Sequence, residues 1–191
     1  QGTWSHVPEQ STPKQWLLAE RMMIPAGWLG SRQLFEGMQP WNESLLINQD
    51  GEYFTRAIVA SAGVIFEPQS RVYYRSELHG SVSQFKPHKA PSLFASIESF
   101  EQTVLQLGND SAIKTLISNQ YMGFIYRVYP LVPELRKKAR VKIEHYGKPT
   151  RRNDVAESMV ARLICFVFGW RFLVRLRRMQ RSLKALPNEP E

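Results

Sequence analysis

Asn42, Glu43, Asn48, Asp50 and Glu52 bring three carboxylates and two amides into one short stretch, immediately before and within a segment whose spacing predicts a helix from Gly51 to Ala62. Acidic groups at a helix start are favoured by the macrodipole and by the unpaired backbone N–H groups there. One role for Asp50 and Glu52 is therefore a cap and a first-turn acid. The same placement also holds a carboxylate at a loop-to-helix junction facing a cleft, where it can take a proton as a general base. Arg56 lies one turn beyond Glu52, at the spacing that pairs opposite charges on one helix face and steadies such a site.

The order of short elements around these residues is Pro40-Trp41-Asn42-Glu43, then Asn48-Gln49-Asp50-Gly51-Glu52-Tyr53-Phe54 with Arg56, then Phe66-Glu67-Pro68 and Val72-Tyr73-Tyr74-Arg75. It resembles the C-terminal half of family-2 glycosyltransferases of the GT-A fold, over roughly residues 20 to 85. The resemblance implies an α/β class: the C-terminal part of a GT-A, Rossmann-like domain followed by a mainly helical basic appendage. It places Gln49-Asp50 on the family's Glu-Asp pair, which makes Asp50 the catalytic base, and Arg56 on its helix arginine. Pro40 to Glu43 take the place of the acceptor-side "G-F-D-E" element, so Asn42 and Glu43 fall beside the acceptor. The chain departs from the pattern at Gln49, in place of a Glu, at Gln39, in place of a Gly, and at Tyr74, in place of a metal-holding His. The third metal ligand is thereby left open, and Arg75 is a candidate to meet a diphosphate.

The activity implied is inverting transfer of a sugar from a nucleotide-diphosphate sugar to a hydroxyl of a glycan or lipid-linked acceptor. Mg²⁺ or Mn²⁺ is the implied cofactor, held mainly by an Asp-x-Asp motif expected upstream of Gln1, because none occurs in these residues. This chain by itself is then an incomplete, inactive portion. Trp28 and Trp41 are candidates to stack on the acceptor, since aromatic faces suit sugar C–H groups; both also serve as ordinary core residues.

The elements that must position these groups are read from punctuation and period. At 191 residues with 43% hydrophobic content, the chain is long enough for one folded core. The single cysteine, Cys165, excludes an internal disulfide framework and a Cys-rich zinc site. Ser11-Thr12-Pro13 opens a helix over Lys14 to Met22, a hydroxyl cap followed by Pro, and Ser31 opens a short one from Arg32 to Gly37. Apolar runs read as strands at Val64–Phe66 and Arg71–Arg75. Ser76 to Pro91 reads as a polar loop and candidate lid. His79 and His88 lie in it with no carboxylate between them, which argues against a metal site. Helical spacing then predicts helices over Ser92–Leu107, Ser111–Tyr129, Leu135–Tyr146 and Asp154–Leu183. Two portions result: residues 1–91, the acceptor-side and base portion, and residues 92–191, the helical C-terminal region.

Net charge of +8 is uneven, because residues 127–184 carry +12 while residues 1–126 carry −2. The basic excess points to a partner for the last helix. Leu163 to Trp170 gives only eight uncharged residues, too few for a bilayer span of about 20. Beyond it Phe172, Leu176 and Met179 alternate with Arg171, Arg175 and Arg178 at the spacing of a helix lying on an anionic membrane surface. Packing on the preceding helices is the plainer reading of the same residues. No nucleic-acid-binding motif accompanies the basic run. The expected location is cytoplasmic, peripheral on the inner face of the cell membrane. The other classes compatible with the sequence are a non-catalytic binding or scaffolding module and a basic helical protein that binds a membrane surface.

Overall fold

A computed structural model describes residues 7–21, 23–73, 85–151 and 158–184. In chain order the described residues form β1 (Gln10–Ser11), α1 (Pro13–Leu18), α2 (Arg32–Glu36), α3 (Gln49–Ala60), β2 (Val64–Ile65), α4 (Ala90–Val104), α5 (Ser111–Val128), α6 (Pro133–Tyr146) and α7 (Met159–Lys184). Short 3-10 turns lie at Pro25–Gly27, Pro87–Lys89 and Leu105–Leu107.

The α/β expectation is overturned. Among the described residues the sheet consists of β1 and β2 alone, antiparallel and two residues each, with Gln10 opposite Ile65 and Ser11 opposite Val64. A layer that small covers no helix, so the architecture is helix on helix rather than a Rossmann-like sheet with helices on its faces. The physical reason lies at the end of the apolar run. Glu67-Pro68 stops β2 after Ile65, and Arg71, Val72 and Tyr73, read as a second strand, are exposed and unpaired. Tyr74 and Arg75 lie outside the described residues, as do the loop histidine His79 and most of the candidate lid.

The helix starts match their caps. Thr12 and Gln15 form a reciprocal capping box, the Thr12 hydroxyl accepting from Gln15 N at 3.2 Å and Gln15 Oε1 accepting from Thr12 N at 2.9 Å. Ser31 caps α2 by accepting from Leu34 N, and Asp110 caps α5 by accepting from the N–H groups of Ala112 and Ile113. α1 is shorter than its spacing suggests and stops at Leu18. Glu20, two residues on, has positive φ.

α5 is the axis of the core. Ile113, Leu116, Ile117, Tyr121, Phe124, Ile125 and Val128 are all buried, packed with Leu93, Phe94, Ile97 and Val104 of α4. Trp16, Leu17, Ile47 and Ile58 join the same cluster, so residues on both sides of position 91 share one core. α6 is basic on its outer side and buries Ala139, with Leu135, Ile143 and Tyr146 partly covered.

One polar hub locks α4, α5 and α6 together. The buried Glu101 carboxylate accepts from Tyr121, from Tyr146 at 2.5 Å and from Lys142 at 2.8 and 2.9 Å. Burial pushes its carboxyl up, but these three donors outweigh that and hold it below the ordinary carboxylate value. The Tyr146 hydroxyl is pushed up to about 12 by burial and by the Glu101 charge. Four donor contacts on one carboxylate satisfy it fully, which is the condition for a buried charge to be tolerated.

Candidate functional site

Asn48 takes the left-handed conformation (φ 60°), which asparagine adopts more readily than most residues, and turns the chain into α3. Its Nδ2 donates to Ser96 Oγ of α4 at 3.1 Å, which fixes the start of α3 against the core. Gln49 and Asp50 are then the first residues of the helix, both half-buried. The helix begins two residues before the predicted Gly51 because Asn48 supplies the turn, and it ends at Ala60 rather than Ala62.

The two first-turn carboxylates have different environments. Glu52 is 4% exposed and tied on every side. Its Oε1 accepts from Arg56 Nε at 2.8 Å and from Ser99 Oγ at 2.8 Å, and its Oε2 accepts from Arg56 Nη2 at 3.1 Å. Asp50 accepts only from the neighbouring Gly51 N–H, at 2.9 Å through Oδ1, and makes no ion pair among the described residues.

Arg56 does more than neutralise Glu52. Its Nη1 donates to Gln39 O at 2.6 Å and its Nη2 to Pro40 O at 3.0 Å. The planar guanidinium fork thus clamps the Gln39-Pro40 backbone, and with it Trp41, onto α3. Asn42 folds the next turn by accepting from Ser44 N and from Ser44 Oγ at 2.6 Å. Glu43 is exposed on that turn.

An aromatic shelf runs along the same side of α3. Trp41, 37% exposed, sits 4.6 Å from the Tyr53 ring and 6.2 Å from that of Phe54. Phe54 stacks on Trp28 at 5.3 Å, and Trp28 meets the buried Trp16 edge to face at 5.8 Å. Tyr53 also stacks on Phe35 at 6.1 Å. Tyr53 and Phe54 are three and four residues after Asp50, so the three share a helix face. Trp28 closes the inner end of the shelf and Trp41 its outer, solvent-facing end.

Sequence reasoning missed Tyr53, Phe54, Phe35 and Ser99. The first two were legible from their spacing to Asp50. Ser99 was not, because it comes from α4, 47 positions away from Glu52.

The described residues do not fit a divalent cation. No three His, Cys, Asp or Glu side chains among them gather as a ligand set, and Glu52 is already consumed by Arg56 and Ser99. His88 is exposed on the turn before α4.

The last helix differs in detail from its sequence reading. Gly169 (φ 75°, ψ 157°) breaks α7 into two halves. Beyond it, Leu173 is buried, and Trp170 packs edge to face on Tyr126 and Tyr129. Arg175 stands over the Tyr129 ring at 5.7 Å and Arg171 over Trp170 at 5.5 Å, so these two cations lie on aromatic faces. Phe172 and Met179 are exposed and Leu176 is half-buried; the Arg178 side chain lies outside the described residues. Among the described residues no helix is long and apolar enough to cross a membrane.

No protein-family model, curated protein or solved structure matches this chain.

Proposed function

We propose that the Gln39–Ala60 region is the acceptor side of an inverting sugar-transfer site, with Asp50 as its general base. The observation that carries the reading is the contrast between the two carboxylates: Glu52 is spent on Arg56 and Ser99, whereas among the described residues Asp50 keeps an oxygen uncommitted at a helix N-terminus. Beside it lies the aromatic shelf of Tyr53, Phe54 and Trp41, a surface suited to the C–H faces of a sugar.

In this reading the acceptor hydroxyl oxygen attacks C1 of a nucleotide-diphosphate sugar from the face opposite the leaving group. The C1–O bond to the diphosphate breaks, the nucleoside diphosphate departs, and Asp50 receives the hydroxyl proton. Glu52 and Arg56 are positioning residues that hold α3 and the Pro40-Trp41 segment in register. The reading needs a donor-binding portion from outside these residues. It rests on the site and needs no α/β layer here.

Asp50→Asn in the full gene product tests it. The expected outcome is a loss of transfer of about 10²- to 10⁴-fold, the usual contribution of a general base, with donor binding almost unchanged. Equal loss of donor binding and transfer makes Asp50 structural. Glycan binding without transfer, in wild type and variant alike, makes the shelf a non-catalytic binding module.

A further inference from the structure

The half of α7 before Gly169 presents an apolar face that nothing in the described fold covers. Met159 (86% exposed), Val160, Leu163, Phe166 (88% exposed) and Val167 are all open to solvent. At about 100° per residue they fall within an arc of about 120°. Ala161, the buried residue of this half, lies on the opposite side. Phe168 and Phe172 continue the exposed apolar surface across the break, their rings 5.0 Å apart. A contiguous patch of this kind is uncommon on a monomer's surface and marks a contact surface.

The charge pattern indicates what covers it. Between Met159 and Lys184 the sequence has seven basic residues and no acidic one, and the neighbouring α6 is basic as well. A second copy docking through this face would bring like charges together, which disfavours self-association. A span is excluded by length, because the uncharged run from Leu163 to Trp170 is far shorter than the roughly 20 residues a bilayer requires. The face is a convex helix surface of long apolar side chains set within a strongly basic segment, the pairing that suits an anionic membrane surface.

We infer that this half-helix lies flat in the surface of an anionic lipid membrane. Met159, Leu163, Phe166 and Val167 enter the acyl boundary, and the basic charge of α7 draws it to anionic headgroups. Gly169 makes this geometry possible. Its positive φ lets the apolar half leave the direction of the second half, which Trp170 and Leu173 fasten to the helical body. The expected insertion face is thus upstream of Gly169, and Phe172 and Met179 are secondary to it.

The test is sedimentation of the intact chain with vesicles of phosphatidylcholine alone and with about a third phosphatidylserine. Expected results are binding to the anionic vesicles only, weakened as NaCl rises from about 0.1 to about 1 M. The triple variant Leu163→Ser, Phe166→Ser, Val167→Ser should lose binding by roughly tenfold or more. Those side chains are exposed, so its thermal unfolding should match wild type. Independently of that variant, Phe166→Trp should show a blue-shifted emission on anionic vesicles. Equal binding to neutral vesicles, no binding, unchanged binding by the triple variant, or an unshifted emission from the Phe166→Trp variant overturns the inference. So does a dimer in light scattering that the triple variant abolishes, since the occupant is then a second copy.

Discussion

Removing the Arg56 guanidinium is the sharpest probe of how the candidate site is held. Arg56→Met leaves Glu52, 4% exposed, with Ser99 as its one remaining side-chain donor, and frees the carbonyls of Gln39 and Pro40. Breaking a buried ion pair from one side costs about 3–5 kcal/mol. The Arg56 side chain is 18% exposed, so water can reach part of the vacated space and the lower end, about 3 kcal/mol, is expected. For a chain of this size that lowers Tm by roughly 6–12 °C. Arg56→Lys keeps a compensating charge but cannot reproduce the fork, so it should cost about 1–2 kcal/mol. The pair Glu52→Gln and Arg56→Met completes a double-mutant cycle. Removing the charge together with its partner should be less damaging than the sum of the singles by about 1–3 kcal/mol. Urea unfolding followed by tryptophan fluorescence measures all four proteins. A cost below about 1 kcal/mol for Arg56→Met, or additivity in the cycle, would refute the claim that Glu52 is spent on structure, and with it the reason for assigning the base to Asp50.

Two further outcomes are expected of the helical body. Glu101 is held below its ordinary value of 4.5, so its contribution to stability is fully present above that value and is lost as pH falls below it through the depressed folded value. Glu101→Gln should therefore cost about 2–3 kcal/mol near neutral pH, with the gap to wild type narrowing in acid; a gap constant with pH in urea titrations would contradict this. Gly169→Ala should cost about 1–3 kcal/mol, because only glycine adopts φ 75°, ψ 157° without strain. Nothing lies within 4 Å of an added Cβ, so that cost is one of backbone conformation and not of packing; a neutral substitution would mean that the break at Gly169 is not maintained in solution.

Much of the helical framework was legible from short-range chemistry. The Ser11-Thr12-Pro13 run and Ser31 mark helix starts because a side-chain oxygen can reach an N–H two or three residues on, which is decided within a single turn. The apolar period of α4 and α5 reads as helix without any partner, and the Glu52–Arg56 pair is set by a separation of one turn. Sheet content was misread for the opposite reason. A strand is stable only with a partner, and the apolar stretches near Val64 and Val72 carry no local sign that the first finds only Gln10–Ser11 and that the second pairs with nothing as far as Tyr73.

The sequence by itself determined that Asp50 and Glu52 stand at the start of one helix, that Arg56 can reach Glu52, and that basic charge concentrates beyond residue 126. Tertiary structure decided which carboxylate remains available, because Ser99 reaches Glu52 from α4 and the backbone of Gln39 and Pro40 completes the coordination of Arg56. It also decided which face of α7 is left bare. Helical period places Leu163, Phe166 and Leu173 on candidate faces alike, but only the packing of Trp170 and Leu173, and the turn at Gly169, separates the half that is buried from the half that is open. Local rules act over three or four residues, while burial depends on what the rest of the chain brings alongside.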